Sequence, residues 1–519
     1  MLAQYTQSKN QARFARHDES LGHYTLSVIS KDSMKVLFAT SEAHPLAKTG
    51  GLADVSGALP AALQEIGVDA RVLMPAYPAA LAKVENLSRA CRITLPEHGE
   101  ITLLQGTFPG KAFSGNGTPV YLIEHAGYFS RKGLYQDESG HDWPDNAMRF
   151  GLLSQIAARL AGPETPLDFS PDVLHCNDWQ TGLAPAYLRY GAAKPTPTVF
   201  TVHNLAYQGI FPREHLEKLG LPPESFSING LEYYGSLSFL KAGLFYADHL
   251  TTVSPNYADE IQTDAFGMGM QGLLAGRSKD LTGILNGIDT REWDPAADPH
   301  LAAPYSATEL AGKATDKLAL QSELGLDTDA HAPLLGMVSR LTEQKGSDVV
   351  IKAVPKLLML GVQFAVLGSG EAGLEIAWQK LAEAHPGRVA VKIGYNEGLG
   401  HRVEAGADLF LMPSRFEPCG LNQMYSQRYG TPPVVHKVGG LADTVIHASP
   451  ENLANGAATG FVLDRLDSAA LAEIVTQAIR LYRQKPVWQK LMRNGMTRDF
   501  GWETSARQYL GVYKKIRQT

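Results

Sequence analysis

Cysteine, long apolar runs and excess charge are all scarce in this 519-residue chain, and each scarcity excludes a class of protein. The 3 cysteines, Cys91, Cys176 and Cys419, lie too far apart for a disulfide framework or a zinc finger, which favours a reducing compartment. No apolar run reaches the roughly 18 residues of a membrane helix, and residues 1–33 lack the apolar centre of a secretory signal. A formal net charge of −6 provides no basic face for nucleic acid. We therefore expect a soluble, cytoplasmic protein.

Motifs for metal and serine chemistry are missing as well. The histidines, cysteines and aspartates form no close pair with the spacing of a metal site, and no Gly-x-Ser-x-Gly elbow is present. The sequence therefore predicts neither a metal centre nor a serine hydrolase.

The order of the apolar segments predicts an α/β fold. Strand-like runs such as Lys35–Thr40, Leu334–Val338 and Leu409–Met412 alternate with amphipathic segments of helical period. This alternation is typical of mostly parallel sheets with helices on both faces. With 519 residues, of which 44% are hydrophobic and 19% charged, the chain is long enough for more than one core. We predict two Rossmann-like halves that face one another.

The predicted domain boundaries divide the chain into four segments. Residues 1–33 form a flexible extension, 34–287 the first Rossmann-like domain, 288–495 the second, and 496–519 a helix that packs back on the first domain. The boundary at 287 depends on Asn286-Gly287 and on the run rich in Asp, Glu and Pro that follows. The order of the short β-like pieces between residues 94 and 135 cannot be predicted.

The stretch Pro413–Leu421 is the strongest candidate for a catalytic loop. It follows a buried strand and precedes an amphipathic helix, so Glu417 lies where ligands bind in open α/β sheets. The amides of Gly420 and Leu421 would open that helix and point towards an anion. The alternative is that Glu417 merely caps the helix, since acids are common near helix starts.

Two further loops combine cations with glycine. Arg340 and Lys345 follow one predicted strand, and a guanidinium with an ammonium suits a diphosphate. The alternative is a pair of solvated surface cations. In Lys48-Thr-Gly-Gly-Leu52, Gly50 and Gly51 would let the backbone approach a phosphate closely, although this loop is neither a GxGxxG nor a Walker motif.

Other polar residues at predicted strand ends have an ordinary structural explanation beside the functional one. His203 could be a satisfied core histidine and Asp178 a helix cap. Tyr395 has the flat face that a purine needs, and the Gly368-Ser-Gly370 turn suits a plain tight turn better than a ligand site. We interpret Cys419, between a proline and a glycine, as filling a turn rather than as a nucleophile.

Taken together, the motifs closely resemble those of the bacterial glycogen synthase and plant starch synthase family, from about Met34 to the carboxyl end. They are Lys48-Thr-Gly-Gly-Leu52, Asn177-Asp-Trp179, Thr201-Val-His-Asn204, Asn286-Gly-Ile-Asp289, Ser339-Arg-Leu-Thr-Glu-Gln-Lys-Gly346 and Ser414-Arg-Phe-Glu-Pro-Cys-Gly-Leu421. The resemblance implies a retaining transferase of the GT-B architecture, with its active site between two Rossmann-like domains. It implies transfer of glucose from ADP-glucose to the non-reducing end of an α-1,4-glucan, without metal or cofactor. Homo-oligomers are possible.

For the donor, the resemblance assigns roles on both sides of the cleft. Arg340 and Lys345 would hold the diphosphate and stabilise the leaving ADP, while Lys48 would close on the phosphates from the other domain. Glu417 would lie beside the transferred glucose, and Tyr395 would stack on adenine. Further donor contacts would come from glycines and loop residues: Gly50, Gly51, Cys419, Gly420, Leu421, Gly439 and Gly440.

For the sugar, the resemblance assigns hydroxyl contacts to Asp178, His203, Asn204 and Asn286. The carbonyl oxygen of His203 is a candidate to steady an oxocarbenium-like transition state. Two retaining mechanisms stay open: a double displacement with Glu417 as nucleophile, and a same-face attack in which the departing phosphate deprotonates the acceptor. The second is favoured because the sequence places no second carboxylate to complete a glycosidase-like pair.

One departure from the family pattern bears on the donor, and two other functions compete. The family's second Thr-Gly-Gly-Leu is here Val438-Gly-Gly-Leu441, so a hydroxyl that could meet a phosphate is missing and donor affinity is in question. The alternatives are a related transferase that uses UDP-glucose and a catalytically silent glucan-binding scaffold. The cations at Lys48, Arg340 and Lys345 argue against silence.

Overall fold

The computed structural model describes residues 33–109, 117–191 and 195–518. The predictions for residues 1–32, including most of the amino-terminal extension, therefore lie outside the described residues. Within the described part, the chain forms two α/β halves, as the alternation of its segments predicts.

The amino-terminal half is built on a nine-stranded sheet in the order β12-β11-β7-β6-β1-β2-β5-β4-β3, with a separate antiparallel sheet in the order β8-β10-β9. The strands described in this half are β1 Lys35–Ala39, β2 Asp69–Pro75, β3 Glu85–Leu95, β4 Gly99–Thr107, β5 Pro119–Glu124, β6 Val173–Asn177, β7 Thr198–Val202, β8 Ile210–Pro212, β9 Glu232–Tyr233, β10 Ser236–Ser238, β11 His249–Thr252 and β12 Leu281–Gly283. Strands β3, β4 and β5 pair antiparallel at one edge, and the other pairs in the large sheet are parallel. This edge is the region whose order the sequence left open.

Helices cover both faces of this sheet. Those described in this half are α1 Gly51–Glu65, α2 Pro78–Leu81, α3 Ala126–Phe129, α4 Asn146–Ala161, α5 Ala184–Gly191, α6 His215–Lys218, α7 Phe239–Tyr246, α8 Pro255–Glu260 and α9 Gln271–Gly276. The apolar positions Val55, Leu59, Leu63 and Ile66 predict a helix from Asp54 to Ile66, but the observed helix begins at Gly51, directly after an extended Gly50. The apolar period starts only at Val55, so it does not show the first turn, which begins with a glycine.

The second half contains a six-stranded, fully parallel sheet in the order β15-β14-β13-β16-β17-β18. Its strands are β13 Leu334–Val338, β14 Gln363–Gly368, β15 Val389–Ile393, β16 Leu409–Met412, β17 Pro433–His436 and β18 Phe461–Leu463. Its helices are α10 Ala311–Leu324, α11 Ser347–Leu358, α12 Ala372–Ala384, α13 Glu397–Gly406, α14 Asn422–Arg428, α15 Gly439–Thr444, α16 Pro450–Asn455, α17 Ser468–Tyr482 and α18 Lys485–Met496. All four residues of β16, which carries the Glu417 loop, are buried. Such a continuous apolar run is what a strand covered on both faces needs.

The last helix, α19 Trp502–Arg517, returns to the first half. Its buried rings Trp502, Tyr509 and Tyr513 join an apolar cluster with residues of β1 and α1. The hydroxyl of Tyr513 also lies 2.8 Å from Nδ1 of His175 on β6. Burial of each ring contributes roughly 2–3 kcal/mol, which holds this helix on the first sheet. The precise boundaries at 287 and 495 stay predictions.

Candidate active site

Glu417 is a paired, buried carboxylate on the loop between β16 and α14. Its Oε2 lies 2.5 Å from Nζ of Lys345 and accepts a hydrogen bond of 2.9 Å from the hydroxyl of Ser414. The side chain is 8% exposed. Helix α14 begins at Asn422 and its N-cap residue, Leu421, makes no side-chain cap. The alternative that Glu417 is merely a helix cap is therefore wrong.

The basic loop that follows β13 is packed onto the Glu417 loop. The side-chain amide of Gln344 donates to the carbonyl of Phe416 at 3.3 Å, and the amide of Arg415 donates to the carbonyl of Gln344 at 2.8 Å. Gly346 has a φ of +71°, and a Cβ there would overlap the carbonyl of Pro413. Only glycine allows this approach. The two loops therefore form one surface at the carboxyl ends of adjacent strands.

The two cations of this surface differ in their surroundings. Lys345 is 18% exposed and paired with Glu417, so it is not a solvated surface cation. Arg340 is exposed, and its guanidinium donates to Oε1 of Gln344 at 3.1 Å. An exposed guanidinium beside a neutralised lysine can turn to meet a diphosphate without first breaking an ion pair.

The Lys48 loop belongs to the first half and approaches the second. Nζ of Lys48 lies 2.6 Å from Oδ1 of Asp54, one turn into α1. The pKa of Lys48 is raised. Burial by itself would lower this pKa, but the nearby acidic groups outweigh that effect. Two of the groups that raise this pKa, Tyr395 and Glu397, lie in the second half, at the carboxyl end of β15 and the start of α13. Tyr395 is 78% exposed, so its ring face is open to a ligand.

Gly50 and Gly51 are not required by packing within the described residues. A Cβ at Gly51 would meet nothing within 4 Å, and one at Gly50 would come only within 4.0 Å of Oε1 of Glu42. Neither glycine has a positive φ. Neither sterics nor backbone conformation demands glycine here, and the contact of these glycines with a phosphate stays a prediction.

Two buried carboxylates hold the loops of the first half in place. Glu42 accepts hydrogen bonds from the amides of Thr49 and Gly50, and burial raises its pKa to about 7 despite those bonds. Asp178 accepts hydrogen bonds from the amides of His203 and Asn204, at 2.7 and 3.4 Å. Burial likewise raises the pKa of Asp178 to about 7.

Asp178 is therefore not a helix cap, although it precedes the short 3-10 turn Trp179–Thr181. Its carboxylate makes no bond to that turn, and its φ of +55° is unusual for a non-glycine residue. Such a conformation costs on the order of 1–3 kcal/mol and is typically retained where function requires it.

His203 is a neutral, buried histidine whose Nε2 already has a partner. Nε2 lies 2.9 Å from Oδ1 of Asn177, and burial lowers the pKa of the ring to about 3. The core-histidine explanation therefore fits the ring. The role of the main-chain carbonyl of His203 in steadying the transition state stays a prediction. Asn204 lies beside it, and its Oδ1 accepts from the amide of Ala206 at 3.0 Å.

Asn286 and Cys419 meet where the first half ends and the Glu417 loop begins. The amide of Asn286 bonds to the thiol of Cys419, and burial raises the pKa of that thiol to about 12. Cys419 is therefore a protonated, inert thiol, in agreement with its interpretation as a turn filler. Oδ1 of Asn286 is buried and has no hydrogen-bond partner within 33–109, 117–191 and 195–518. An unsatisfied acceptor beside the catalytic loop suits a sugar hydroxyl.

The second glycine pair packs against the Glu417 loop. A Cβ at Gly439 would overlap the carbonyl of Glu417, and one at Gly440 would overlap that of Cys419. Both amides are engaged, since Gly439 donates to Oε1 of Glu260 at 2.9 Å and Gly440 to the carbonyl of Glu417 at 3.2 Å. For the amide of Gly439 to bind a phosphate, its hydrogen bond to Glu260 would first have to break. The donor contacts of both glycines, like those of Gly420 and Leu421, stay predictions.

Val438 has a packing role rather than a polar one. Its side chain is 3% exposed and lies in an apolar cluster with Val435, Leu441 and Val445. A threonine hydroxyl at this position would be buried in that cluster. The effect of Val438 on donor affinity stays a prediction.

Sequence reasoning missed two single glutamates and one cluster of ionisable side chains. Glu42 and Glu260 had no signal, because their partners are backbone amides of loops that only the fold brings near. The cluster consists of Glu292, Glu397 and His401, whose possible ligand atoms lie within 4.8 Å of one another. The i, i+4 spacing of Glu397 and His401 on α13 could have revealed that pair. The expectation of no metal pair concerned histidine, cysteine and aspartate, so this cluster of two glutamates and one histidine lies outside it.

The chain is similar to known enzymes along nearly its whole length. A family model described as the starch synthase catalytic domain matches residues 35–276, and one described as glycosyl transferases group 1 matches residues 325–494. The chain is 51% identical over 490 residues to the glycogen synthase of Nitrosomonas eutropha, covering 94% of this chain and 97% of that relative. It is 52% identical over 488 residues to the glycogen synthase of Paramagnetospirillum magneticum, covering 93% and 98%.

Solved structures agree with this similarity. The catalytic domain of starch synthase IV from Arabidopsis thaliana, bound to ADP and acarbose, matches with a TM-score of 0.84 and 31% identity, covering 94% of this chain and 100% of that chain. A sucrose-phosphate synthase from Thermosynechococcus elongatus matches with a TM-score of 0.55 and 18% identity, covering 93% and 99%. The second likeness concerns the fold alone.

Proposed function

Since this chain belongs to the family of bacterial glycogen synthases and plant starch synthases, we propose how the residues of its cleft carry out the reaction of that family. The protein is a retaining hexosyltransferase of the GT-B architecture. It transfers glucose from ADP-glucose to the non-reducing end of an α-1,4-glucan. One geometric observation carries the assignment of its site: the paired Lys345 and Glu417, beside Arg340, lie on a loop surface of the second half.

The diphosphate is held by cations from both halves. Arg340 and Lys345 bind it from the second half, and Lys48 approaches from the first. Their charges stabilise the negative charge that develops on the leaving ADP, so the transfer needs no metal. Adenine stacks on the exposed ring of Tyr395, and Gly50 and Gly51 leave room for the phosphates. The ADP bound in the related starch synthase IV supports this choice of nucleotide.

The glucose and the growing glucan lie between the Glu417 loop and the polar strand ends of the first half. Glu417 and the residues from Cys419 to Leu421 contact the transferred glucose. Asp178, Asn204 and the unsatisfied Oδ1 of Asn286 bind sugar hydroxyls. The carbonyl of His203 lies at the same strand ends and steadies positive charge on the anomeric carbon.

Retention follows a same-face attack in which the departing phosphate takes the acceptor proton. As a nucleophile Glu417 would be weak, because its Oε2 already accepts from an ammonium and a hydroxyl. Three other acids, Glu42, Asp178 and Glu260, each hold backbone amides instead of facing a free partner. A glycosidase-like carboxylate pair is therefore not supported.

Azide rescue separates the two mechanisms. A double displacement through Glu417 predicts that Glu417→Ala with azide forms β-glucosyl azide, because azide would replace the lost nucleophile. We expect no β-glucosyl azide, measured by mass spectrometry and NMR of the products. Formation of that anomer at a rate above that of the wild type would contradict the same-face mechanism.

Nucleotide release tests the function itself. The full-length enzyme is assayed with ADP-glucose and with UDP-glucose, each with and without glycogen. We expect glycogen-dependent ADP release that Glu417→Ala and Glu417→Gln lower by about 10³-fold or more, since each removes the partner of Lys345 at the reacting centre. Glu383→Gln, an exposed acid on α12, is the matched control and should retain full activity.

Each other outcome favours a specific alternative. Faster turnover of UDP-glucose than of ADP-glucose would favour the related UDP-glucose transferase. Retained glycogen binding without turnover of either donor would favour the scaffold.

The cytoplasmic location belongs to this proposal and is supported by the three free thiols. Whether the enzyme forms homo-oligomers stays a prediction.

A further inference from the structure

Two carboxylates and one imidazole that the transfer reaction does not use converge beside α13. Glu397 and His401 are four residues apart on that helix and so share one face. Glu292 reaches them from segment 284–310, the linker between β12 and α10. One possible ligand atom from each of the three side chains lies within 4.8 Å of the other two.

The imidazole is held as metal-binding histidines usually are. His401 is 2% exposed, and its Nδ1 lies 2.7 Å from Oδ2 of Asp298. The hydroxyl of Tyr429 donates to the same oxygen at 2.5 Å. The ring of Trp293 stacks on the imidazole, with centroids 3.9 Å apart and planes 12° apart. Because a carboxylate only accepts, Nδ1 donates to Asp298, which leaves Nε2 as the ring nitrogen available to a metal ion.

The two glutamates are exposed and carry like charges. Within the described ranges, neither Glu292 nor Glu397 makes a side-chain hydrogen bond or an ion pair. Two like charges at this separation repel each other. A cation between them would remove that repulsion.

We propose that Glu292, Glu397 and His401 bind a divalent metal ion that accepts mixed nitrogen and oxygen ligands, of the class of Zn²⁺ and Mn²⁺. One imidazole and two carboxylates suit such ions, and the remaining coordination positions are left to water. Mg²⁺, which prefers oxygen ligands, binds more weakly. The ion ties the linker to α13 and stabilises the folded protein. It takes no part in glucose transfer, which uses Arg340, Lys345 and Glu417, so this inference does not rest on the proposed function.

Metal titration of the full-length protein tests the site directly. Tag-free protein is stripped with EDTA, dialysed and titrated calorimetrically with ZnCl₂, MnCl₂ or MgCl₂, and its thermal unfolding is followed at each concentration. We expect one Zn²⁺ equivalent to bind and Tm to rise with Zn²⁺ concentration, since an ion that binds only the folded state stabilises it. Co²⁺ at the same site should give visible absorption bands.

Substitutions locate the ion. Glu292→Gln and Glu397→Gln each keep the side-chain volume, and we expect each to weaken Zn²⁺ binding by at least tenfold. Glu383→Gln should bind as the wild type does. His401→Ala removes a ring that packs on Trp293 and bonds to Asp298, so its folding is uncertain and the glutamine variants carry the test.

Three results would overturn the proposal. The first is no binding by the wild type at about 1 mM ZnCl₂. Even weak metal sites, with dissociation constants up to about a millimolar, are substantially occupied at that concentration. The second is unchanged binding in the Glu292→Gln, Glu397→Gln double variant, which would place the ion elsewhere. The third is loss of ADP-glucose turnover in EDTA that returns with Zn²⁺, which would give the ion a role in the transfer.

Discussion

At the residue scale, the cleft is organised by carboxylates that hold backbone amides. Glu42 holds the Lys48 loop, Asp178 holds the His203 loop, and Glu260 reaches across to Gly439 on the second half. The sequence did not predict that any of these acids accepts hydrogen bonds from loop amides. Each positions a loop whose residues are proposed to contact substrate, and Asp178 is proposed to bind a sugar hydroxyl as well.

Glu42→Gln tests this role through pH. The folded-state pKa of Glu42 is about 7, above its ordinary 4.5, so the folded protein binds the proton more tightly than the unfolded chain. The stability this provides is fully present below about pH 4.5 and is lost as pH rises through about 7. Glutamine cannot ionise. We therefore expect the variant to gain stability relative to the wild type between pH 5 and pH 8, by at most about 3 kcal/mol.

The measurement is thermal or urea unfolding of both proteins across that range, with Glu383→Gln as the control. At pH 8 we also expect kcat/KM for ADP-glucose to fall about tenfold in Glu42→Gln, because neutral acceptors bind the loop amides less strongly than a carboxylate. Parallel stability curves for variant and wild type would show that Glu42 does not titrate in this window.

At the element scale, two glycine turns of similar sequence have different physical causes. The Gly50–Gly51 turn begins α1 beside open space, whereas the Gly439–Gly440 turn begins α15 against the backbone of the Glu417 loop. The Gly368 and Gly370 turn behaves like the second, because added Cβ atoms would overlap the carbonyls of Ser339 and Leu341. The similar motif therefore serves loop packing in the second half, whereas packing does not account for it in the first.

Alanine at Gly51 and at Gly439 distinguishes these causes. Gly51→Ala meets no atom, so we expect an unchanged Tm and a KM for ADP-glucose raised about tenfold by a methyl group at the phosphates. Gly439→Ala collides with Glu417 at a φ of +41°, so we expect a loss of about 2 kcal/mol or more in unfolding free energy. Measurements of Tm and KM decide. An unchanged KM in Gly51→Ala would remove the argument for ligand approach.

At the scale of the whole molecule, the two halves are joined twice. Segment 284–310 leads into the second half, and the chain returns before α19. Across the cleft, the amide of Asn256 donates to Oδ2 of Asp443 at 3.0 Å, and Gly439 donates to Glu260. Apolar contacts also join the halves, because Cys419 and Met424 of the second half lie in the large apolar cluster of the first half.

We expect the cleft to close on its substrates, since the phosphate-binding cations lie on both halves. Small-angle X-ray scattering of the full-length protein should show a smaller radius of gyration with ADP and a malto-oligosaccharide than without them. ADP with Lys48→Ala is the matched control, because it removes the cation of the first half. Superimposable curves with and without ligands would show that closure does not occur.

The sequence by itself determined much of the local structure and the position of the Glu417 loop after a buried strand. Strands Leu334–Val338 and Leu409–Met412 have the bounds that their apolar runs predict. The position of Glu417 after a buried strand was equally visible, because burial on both faces leaves a continuous apolar run. These features depend on neighbours in the chain.

Only the tertiary structure decided how those loops are joined. Lys345 and Glu417 are 72 residues apart, and Glu292 lies about a hundred residues from the helix it meets. No local period encodes such pairs, because they depend on which strands pair and where the chain returns. The same holds for the pKa of Glu42 and the packing of Val438, which follow from burial. The spacing of apolar side chains determines the helices and strands, because it depends on neighbours in the chain. The partner of each charged side chain and its pKa depend on which groups the fold buries together.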